Sequence, residues 1–278
     1  MVCSGDKTKL LILGTKEMRQ SRLISRNKSI KITVCNNEVK ESVSERLLGL
    51  EIKNDLTWSA HLYGNGLKGK EKSEGLISKL SKRVGMLKKI SKFMKPKQIQ
   101  AVTQGLFTSK LTFGLQVFGN VWGIPSLEVS QSRFTSFTKE DNRRLQVLQN
   151  KVLRLRTRID YNTPTETLVK SSGELSVQQL TAYHTLTTVF KAVRMEKPVC
   201  LHQKLQPKLP NPSIIFPHRQ ANKIIVQGEL RLTRGGMMYR GAKLWNCLDQ
   251  DLKNESSLLK FKRRVKKWIS ENIPVKPP

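Results

Sequence analysis

The spacing of apolar residues changes once along the chain, near Ser73, and this change restricts the fold more than any other feature. Before it, apolar residues stand in short runs or alternate with polar ones, as in β-strands. After it, they recur every three or four residues, as in helices with one buried side. A group of strands followed by a longer group of helices predicts an α+β fold with a small antiparallel sheet.

Three strand regions are predicted in the first part of the chain. Lys9 to Gly14 is a short, continuously apolar strand, and Leu47 to Ile52 is another. Between them, the segment from Ile30 to Val39 alternates apolar and polar residues around Asn36-Asn37. Because asparagine tolerates a positive φ, this segment is predicted to be a hairpin with its turn at the two asparagines.

The first helix is predicted to begin at about Ser73 and to end at Lys95-Pro96. Pro96 can open the next helix, because its fixed φ suits a first turn. A turn-rich connector follows from Gly119 to Pro125. The apolar stripe of the first helix is Ile77, Leu80, Val84, Leu87 and Met94, and that of the second is Ile99, Val102, Leu106 and Phe107.

Three helix starts in the middle of the chain are marked by capping signals. Thr138 with Asp141 resembles a capping box, and Ser176 with Gln179 repeats that logic for a helix running to about Arg194. The segment Thr163-Pro164-Thr165-Glu166 combines a cap residue, a first-turn proline and a third-position glutamate. Behind Thr138, the predicted apolar stripe is Leu145, Leu148, Val152, Leu155 and Ile159.

The last third of the chain begins with a predicted loop or linker, residues 197 to 227, which is rich in Pro, Lys and Asn. A compact element around Trp245, from Tyr239 to Leu248, comes next. Ser256 or Ser257 is then predicted to cap a final helix whose partly buried residues are Leu259, Phe261, Val265 and Trp268.

The charge of the chain is strongly positive, with 51 Lys and Arg against 21 Asp and Glu and a net charge of +30. Self-repulsion at this charge disfavours a compact state unless a polyanion neutralises it, and nucleic acid is the commonest such partner. A membrane surface is the rival, but it would favour a single basic amphipathic helix, whereas basic residues here run from Lys7 to Lys276. Nucleic acid is therefore the favoured partner.

Catalytic and metal-binding patterns are sparse. The six aspartates include one close pair, Asp249 and Asp251, in a predicted turn, and no Tyr-x-Asp-Asp or Phe-x-Asp-Asp string occurs. The four cysteines are scattered, and Cys200 with His202 lacks a second ligand pair nearby. Neither a secretory signal nor an apolar run long enough to cross a bilayer is visible, which predicts a nuclear or cytoplasmic protein with no membrane partner.

Several segments, taken in order, resemble the end of the reverse transcriptase of non-LTR retrotransposons. The first part carries Asp6-Lys7-Thr8-Lys9 before an apolar run, and then Arg46 to Ile52 followed by Asn54 to Trp58. Further similar segments extend through nearly the whole chain, at Gly105 to Leu111, Phe118 to Gly123, Leu145 to Arg154, Leu175 to Leu180, Tyr239 to Asn246, Phe261-Lys262 and Trp268.

The resemblance implies a palm remnant at residues 1–60, a helical thumb at 61–196, and a C-terminal extension at 197–278. Lys7 would match a lysine that lies near the incoming nucleotide in that family, and Leu48-Gly49 would match the strand that grips the primer. The family polymerises with Mg²⁺ held by paired aspartates, and the catalytic turn that bears them has no room before Asp6. We therefore expect this chain to have no metal, no cofactor and no catalytic residues, Lys7 being vestigial.

The expected partner is a template–primer duplex of RNA and DNA, held by phosphate contacts along two basic helix faces. Two alternatives remain open: a helical protein-interaction module adopted by the host, and a partial gene product of an active polymerase. The residues predicted to contact nucleic acid, all on outward faces, are Lys79, Lys82, Arg83, Lys88, Lys89, Arg143, Arg144, Lys151, Arg154 and Arg158.

Overall fold

A computed structural model divides the chain into two compact units, residues 1–79 and 80–278. In the residues that the structure describes, the secondary structure is mostly helical, with two separate two-stranded antiparallel sheets, so the predicted α+β class is confirmed at this level. The predicted division into three parts stays a prediction. The structure describes residues 8–14, 17, 21, 32–34, 37–39, 41–66, 73–124, 137–205, 223–224 and 236–278.

The predicted hairpin in the first unit is confirmed. Strand β1 (Ile32–Val34) pairs antiparallel with β2 (Asn37–Val39), and Ile32 stands opposite Val39. Asn37, which was expected in the turn, pairs with Val34 as the first residue of β2. Of the two predicted turn residues, Asn36 lies outside the described residues.

A second hairpin corrects the prediction of one strand from Leu47 to Ile52. Strands β3 (Ser44–Leu47) and β4 (Leu50–Lys53) pair antiparallel around a turn formed by Leu48 and Gly49. Their φ values are 48° and 89°, so both central residues are left-handed, as a type I′ turn requires. The continuous apolar run hid this turn, because leucine is disfavoured in the left-handed region and gives no turn signal.

The apolar run from Lys9 to Gly14 is not the strand that was predicted. Leu10 forms one isolated parallel bridge with Glu41, and its carbonyl accepts from the Ser42 amide at 2.8 Å. At the other end of the run, the Gly14 amide donates to the Asn54 carbonyl at 3.0 Å. A strand needs a neighbour that runs beside it for several residues, and these two contacts, with different segments, do not form one. Helix α1 (Ser59–Tyr63) packs against β4.

The predicted break at Lys95-Pro96 is confirmed. Helix α2 (Leu76–Ile90) continues as a 3₁₀ turn (Ser91–Phe93), and α3 (Pro96–Thr103) then begins with its proline. The chain continues through a π-helical segment (Gln104–Thr108) into α4 (Ser109–Thr112) and α5 (Leu115–Phe118). Of the stripe on α2, Leu80, Val84 and Leu87 are buried, whereas Ile77 and Met94 are half-buried.

The apolar side predicted for the second helix is correct except at Leu106. Ile99 and Phe107 are buried and Val102 is half-buried, but Leu106 is exposed. Leu106 lies inside the π-helical segment, where the wider turn departs from the α-helical register on which the prediction was based.

Two of the three capping predictions are confirmed. Helix α6 (Lys139–Thr157) begins at Thr138, whose hydroxyl accepts from the Asp141 amide while the Asp141 carboxylate accepts from the Thr138 amide. Ser176 and Gln179 form the same reciprocal pair before α8 (Val177–Arg194). The apolar stripe of α6 is also confirmed, with Leu145, Leu148 and Val152 buried and Leu155 and Ile159 half-buried.

The cap predicted at Thr163 is wrong. Helix α7 (Thr165–Ser172) starts one residue later than expected, after Pro164, and no side-chain hydrogen bond caps it. Thr163 is drawn into other contacts, since its amide donates to Asp160 and its carbonyl accepts from Arg154. The linker prediction also needs correction, because α9 (Val199–Lys204) lies inside it.

Helix α8 is the centre of the second unit. Helices α4, α5, α6 and α9 pack against it, as do α10 (Met237–Asn246), which is the predicted element around Trp245, and α12 (Leu258–Asn272). Gly241 lets α8 and α10 approach closely, since a Cβ there would stand 2.8 Å from a methyl group of Val189. A short helix, α11 (Gln250–Lys253), connects α10 to α12.

The final helix is capped by Ser257, one of the two predicted residues, and it ends before Pro274. Phe261, Val265 and Ile269 are buried, and Trp268 is half-buried. Leu259, which was expected to be partly buried, is 68% exposed. It falls off the stripe at positions 261, 265 and 269, whose four-residue spacing defines the buried side of a helix.

Candidate nucleic-acid interface

The basic residues predicted on α2 fall into two groups. Lys82, Lys88 and Lys89 are exposed, whereas Lys79 and Arg83 are half-buried. Arg83 donates a hydrogen bond to the Leu106 carbonyl, so its guanidinium helps to hold the π-helical segment. No Asp or Glu occurs from Lys79 to Lys110, so pairing with acidic residues of this segment cannot account for these lysines.

Arg143 and Arg144, at the start of α6, both bind Glu140. Nε of Arg143 lies 2.6 Å and Nε of Arg144 3.0 Å from the Glu140 carboxylate. The hydrogen bond from Arg143 is the first cause that lowers the pKa of Glu140 to about 2, so the carboxylate is ionised at neutral pH. One negative charge therefore offsets part of the positive charge that was predicted here to contact phosphates.

Arg154 does not lie freely on the outer face of α6, as was predicted. It is half-buried, its Nη2 donates to the Thr163 carbonyl at 3.0 Å, and its guanidinium lies 5.0 Å from the centre of the Tyr161 ring. Lys151 and Arg158 are exposed as predicted, and Arg158 ends α6 with a left-handed φ of 56°. Arg154 is therefore a residue that fixes the loop between α6 and α7.

We expect Arg154→Ala to lower the free energy of unfolding by about 1–2 kcal/mol, because a charged hydrogen bond and a cation–π contact are lost together. Lys151→Ala, one turn earlier on the same helix, is the matched control and should change stability by less than about 0.5 kcal/mol. Urea unfolding of both variants measures this difference. Equal stability of the two would show that the Arg154 contacts contribute nothing.

The two basic faces were expected to hold one duplex together. Helices α3, α7 and α8 pack against α6, and within the described part of the chain no comparable packing of α2 against α6 is found. Joint action of the α2 and α6 residues on one duplex therefore stays a prediction.

Helix α12, which has as many basic residues as α6, was missed as a binding element. Helix α12 carries six basic residues and one acidic residue, Glu271. The run of basic residues from Lys260 to Lys267 is visible in the sequence. Only the apolar residues of this segment were used to predict which side of the helix is buried. The exposed basic residues of α12, which we call the α12 basic face, are Lys260, Arg263, Arg264, Lys266 and Lys267.

The α12 basic face is held in place by the core and by its own contacts. Behind it, Phe261 stacks on Phe190 at 4.2 Å between ring centres. Arg264 contacts Glu255 at 3.4 Å, and Nζ of Lys266 donates to the Gly173 carbonyl at 2.8 Å. Lys267 lies 3.9 Å from Glu271, and both side chains are mostly exposed, so this pair contributes little. The helix is therefore anchored on its buried side, and the face keeps an excess of positive charge after these contacts.

The residues given roles by resemblance are placed as follows. Lys7 lies outside the described residues. Leu48, at the tip of the β3–β4 turn, is 89% exposed, and Gly49 follows it in the turn rather than in a strand. Their structure therefore differs from the strand that was expected, and their role in gripping a primer stays a prediction.

The described residues contain no group of three or more His, Cys, Asp and Glu side chains that could hold a metal ion. Asp249 is the residue before α11, and Asp251 is exposed. His202 shares a hydrogen bond of 2.8 Å between its Nδ1 and the Ala192 carbonyl, which ties α9 to α8.

Comparison of the chain with protein-family models, with curated proteins and with solved structures finds no match. Of the helices in the described parts of the chain, none has the length and apolar character needed to cross a membrane.

Proposed function

We propose that the chain binds nucleic acid through phosphate contacts and does not read base sequence. The observation that carries the proposal is the α12 basic face, where five exposed basic residues stand on one well-anchored helix with a single carboxylate. Lysine and arginine that neutralise phosphates release condensed counterions, and this release favours binding to any sequence. The net charge of +30 provides the same attraction at longer range.

The proposed origin of this activity is the end of a reverse transcriptase. Its support is the order of the similar segments along nearly all of the chain, together with a group of small hairpins followed by a helical unit. On this proposal, the preferred ligand is the RNA–DNA hybrid that forms during reverse transcription, and the exposed lysines of α2 add contacts to those of α12.

Fluorescence anisotropy with three labelled ligands tests the proposal: two DNA duplexes of unrelated sequence and one RNA–DNA hybrid. We expect the two DNA affinities to agree within about threefold, because phosphate contacts position a protein without specifying sequence. The hybrid should bind at least as tightly as either duplex. Failure to bind any of the three would reject the proposed function, and selective binding of one DNA sequence would reject the phosphate mechanism.

Primer extension is expected to be absent from this chain. Two-metal phosphoryl transfer needs carboxylates that hold both ions, and the 278 residues contain no Tyr-x-Asp-Asp or Phe-x-Asp-Asp string. The measurement is extension of oligo(dT) on poly(rA) with Mg²⁺ or Mn²⁺ by the purified chain. Template-dependent products would contradict the prediction, provided that a heat-inactivated sample gives none.

A second candidate function is favoured by an exposed apolar cup between α2 and α3. Ile90, Phe93, Met94, Gln98, Ala101 and Val102 line a cavity of about 590 Å³, and Phe93 is 88% exposed. Such a cup fits the apolar side of an amphipathic helix. Four exposed lysines are close in sequence to the lining residues and would complement a partner helix with acidic flanks: Lys89, Lys92, Lys95 and Lys97.

The cup is tested with a synthetic amphipathic peptide that has leucine anchors and glutamate flanks. Phe93→Ser should weaken its binding at least about tenfold, as loss of a buried aromatic anchor does at interfaces. Leu259→Ser, also at an exposed position, is the control and should leave binding unchanged. Equal binding by both variants would reject this candidate. Capture of the chain by anionic vesicles, lost in Phe93→Ser, would assign the cup to a lipid surface instead.

A further inference from the structure

A cleft opens between the C-terminal end of α7 and the outer side of α12. Its volume is about 390 Å³. Buried apolar residues, Val169, Leu175 and Val275, form part of its lining. The polar part of the lining, which gives this α7–α12 cleft its chemistry, includes Lys170, Arg263, Lys266, Lys267 and Glu174.

The charge in the cleft is positive after internal pairing. Glu174 is bound by Arg156, with 2.7 Å between Oε1 and Nη1, and both side chains are largely buried. Lys267 lies 3.9 Å from Glu271, and this pair is mostly exposed. Within the described part of the chain, no carboxylate forms an ion pair with Lys170 or Arg263. Four basic side chains, three lysines and one arginine, therefore line the cleft. The one carboxylate in the lining, that of Glu174, is already paired with Arg156.

The end of α7 points its carbonyl groups toward this region, and such groups would repel an anion. The contacts show that this effect is offset. The Ser172 carbonyl accepts from Arg156 at 2.9 Å, and the Gly173 carbonyl accepts from Lys266 at 2.8 Å. An ammonium group has three hydrogens, so Lys266 keeps two for a ligand while its position is fixed.

We infer that the α7–α12 cleft seats a phosphate group. Arg263 offers a planar fork, and the three lysines offer point charges, which together suit an oxyanion with several acceptor oxygens. The group can come from the backbone of a bound nucleic acid or from a free polyphosphate, and both present the same oxygens. If the phosphate belongs to a nucleic acid, the inference rests on the proposed function, because the cleft is then the place where a backbone phosphate is held.

The test uses tripolyphosphate and a DNA duplex as two separate probes of the full chain, measured by calorimetry. The double variant Lys170→Gln with Arg263→Gln removes two cleft charges and leaves the Lys266 contact intact. Lys191→Gln with Lys204→Gln removes two exposed charges that do not line the cleft and is the matched control. Against that control, the cleft variant should bind at least one probe about tenfold more weakly, as expected for loss of charged hydrogen bonds.

The outcomes separate the inference from the proposed function. If the two variants lose affinity equally for both probes, or if the native chain binds neither probe, the inference is overturned. Duplex binding that weakens equally in both variants leaves the proposed function standing and removes the cleft as the seat of a backbone phosphate. Tripolyphosphate binding that depends on the cleft, without any duplex binding, supports the cleft and rejects the proposed function.

Discussion

Phe261→Ala is expected to lower the free energy of unfolding of the second unit by about 3–5 kcal/mol, the usual cost of removing a buried phenylalanine. The Phe261 ring is fully buried, stacks on Phe190 at 4.2 Å, and lies 6.1 Å from Trp245 between ring centres. One side chain therefore joins α12 to both α8 and α10. Its loss leaves a cavity where three helices meet, and α12 should loosen first.

Urea unfolding followed by circular dichroism and tryptophan fluorescence measures this effect. Leu259→Ala is the control on the same helix, and because Leu259 is mostly exposed we expect a change below about 0.5 kcal/mol. If the two variants were equally stable, the buried side of α12 would have been assigned incorrectly, and the outward direction of its basic residues would be wrong with it.

The second large effect is expected on binding. Replacing Lys260, Arg263 and Lys267 by glutamine should weaken duplex binding and reduce the slope of log affinity against log salt by about three, one unit for each phosphate contact. Glutamine has a helix propensity close to that of lysine and arginine, so α12 should remain folded. Anisotropy titrations at several salt concentrations measure the slope, and circular dichroism checks the fold.

The control for this variant removes the same number of charges elsewhere. The control residues are three exposed lysines: Lys191 in α8, Lys197 in the segment between α8 and α9, and Lys204 in α9. Their replacement by glutamine lowers the net charge equally and should reduce the slope by less than about one. If both triple variants reduced the slope by the same amount, binding would follow total charge, and the α12 basic face would have no special role.

Local signals predicted much of the helical unit from sequence. The reciprocal bonds at Thr138 and Asp141, and at Ser176 and Gln179, depend on residues three positions apart, so they can be identified without tertiary information. The same holds for Pro96, whose ring suits only the first turn of a helix. The buried stripes of α2 and α6 follow from helical spacing alone.

What sequence could not predict depends on contacts between distant residues. The Leu48-Gly49 turn was hidden in an apolar run, because pairing of β3 with β4 overrides the poor turn preference of leucine. Arg154 was predicted to face outward from helical spacing alone. That prediction missed its contacts with Thr163 and Tyr161, because they arise only when the following loop folds back. The α7–α12 cleft joins lysines and an arginine about a hundred residues apart in sequence, which no local pattern reveals.

The central claim is that this chain holds nucleic acid by its phosphates, and the salt dependence of duplex binding by the native chain tests it most directly. For contacts with about six to ten phosphates, log affinity should fall linearly with log salt with a slope of about −5 to −9, and affinity should drop by roughly 10³–10⁵ between about 50 and 200 mM salt. Two duplexes of unrelated sequence should give the same line. A flat response to salt, or a steep line for only one of the two sequences, would contradict the claim.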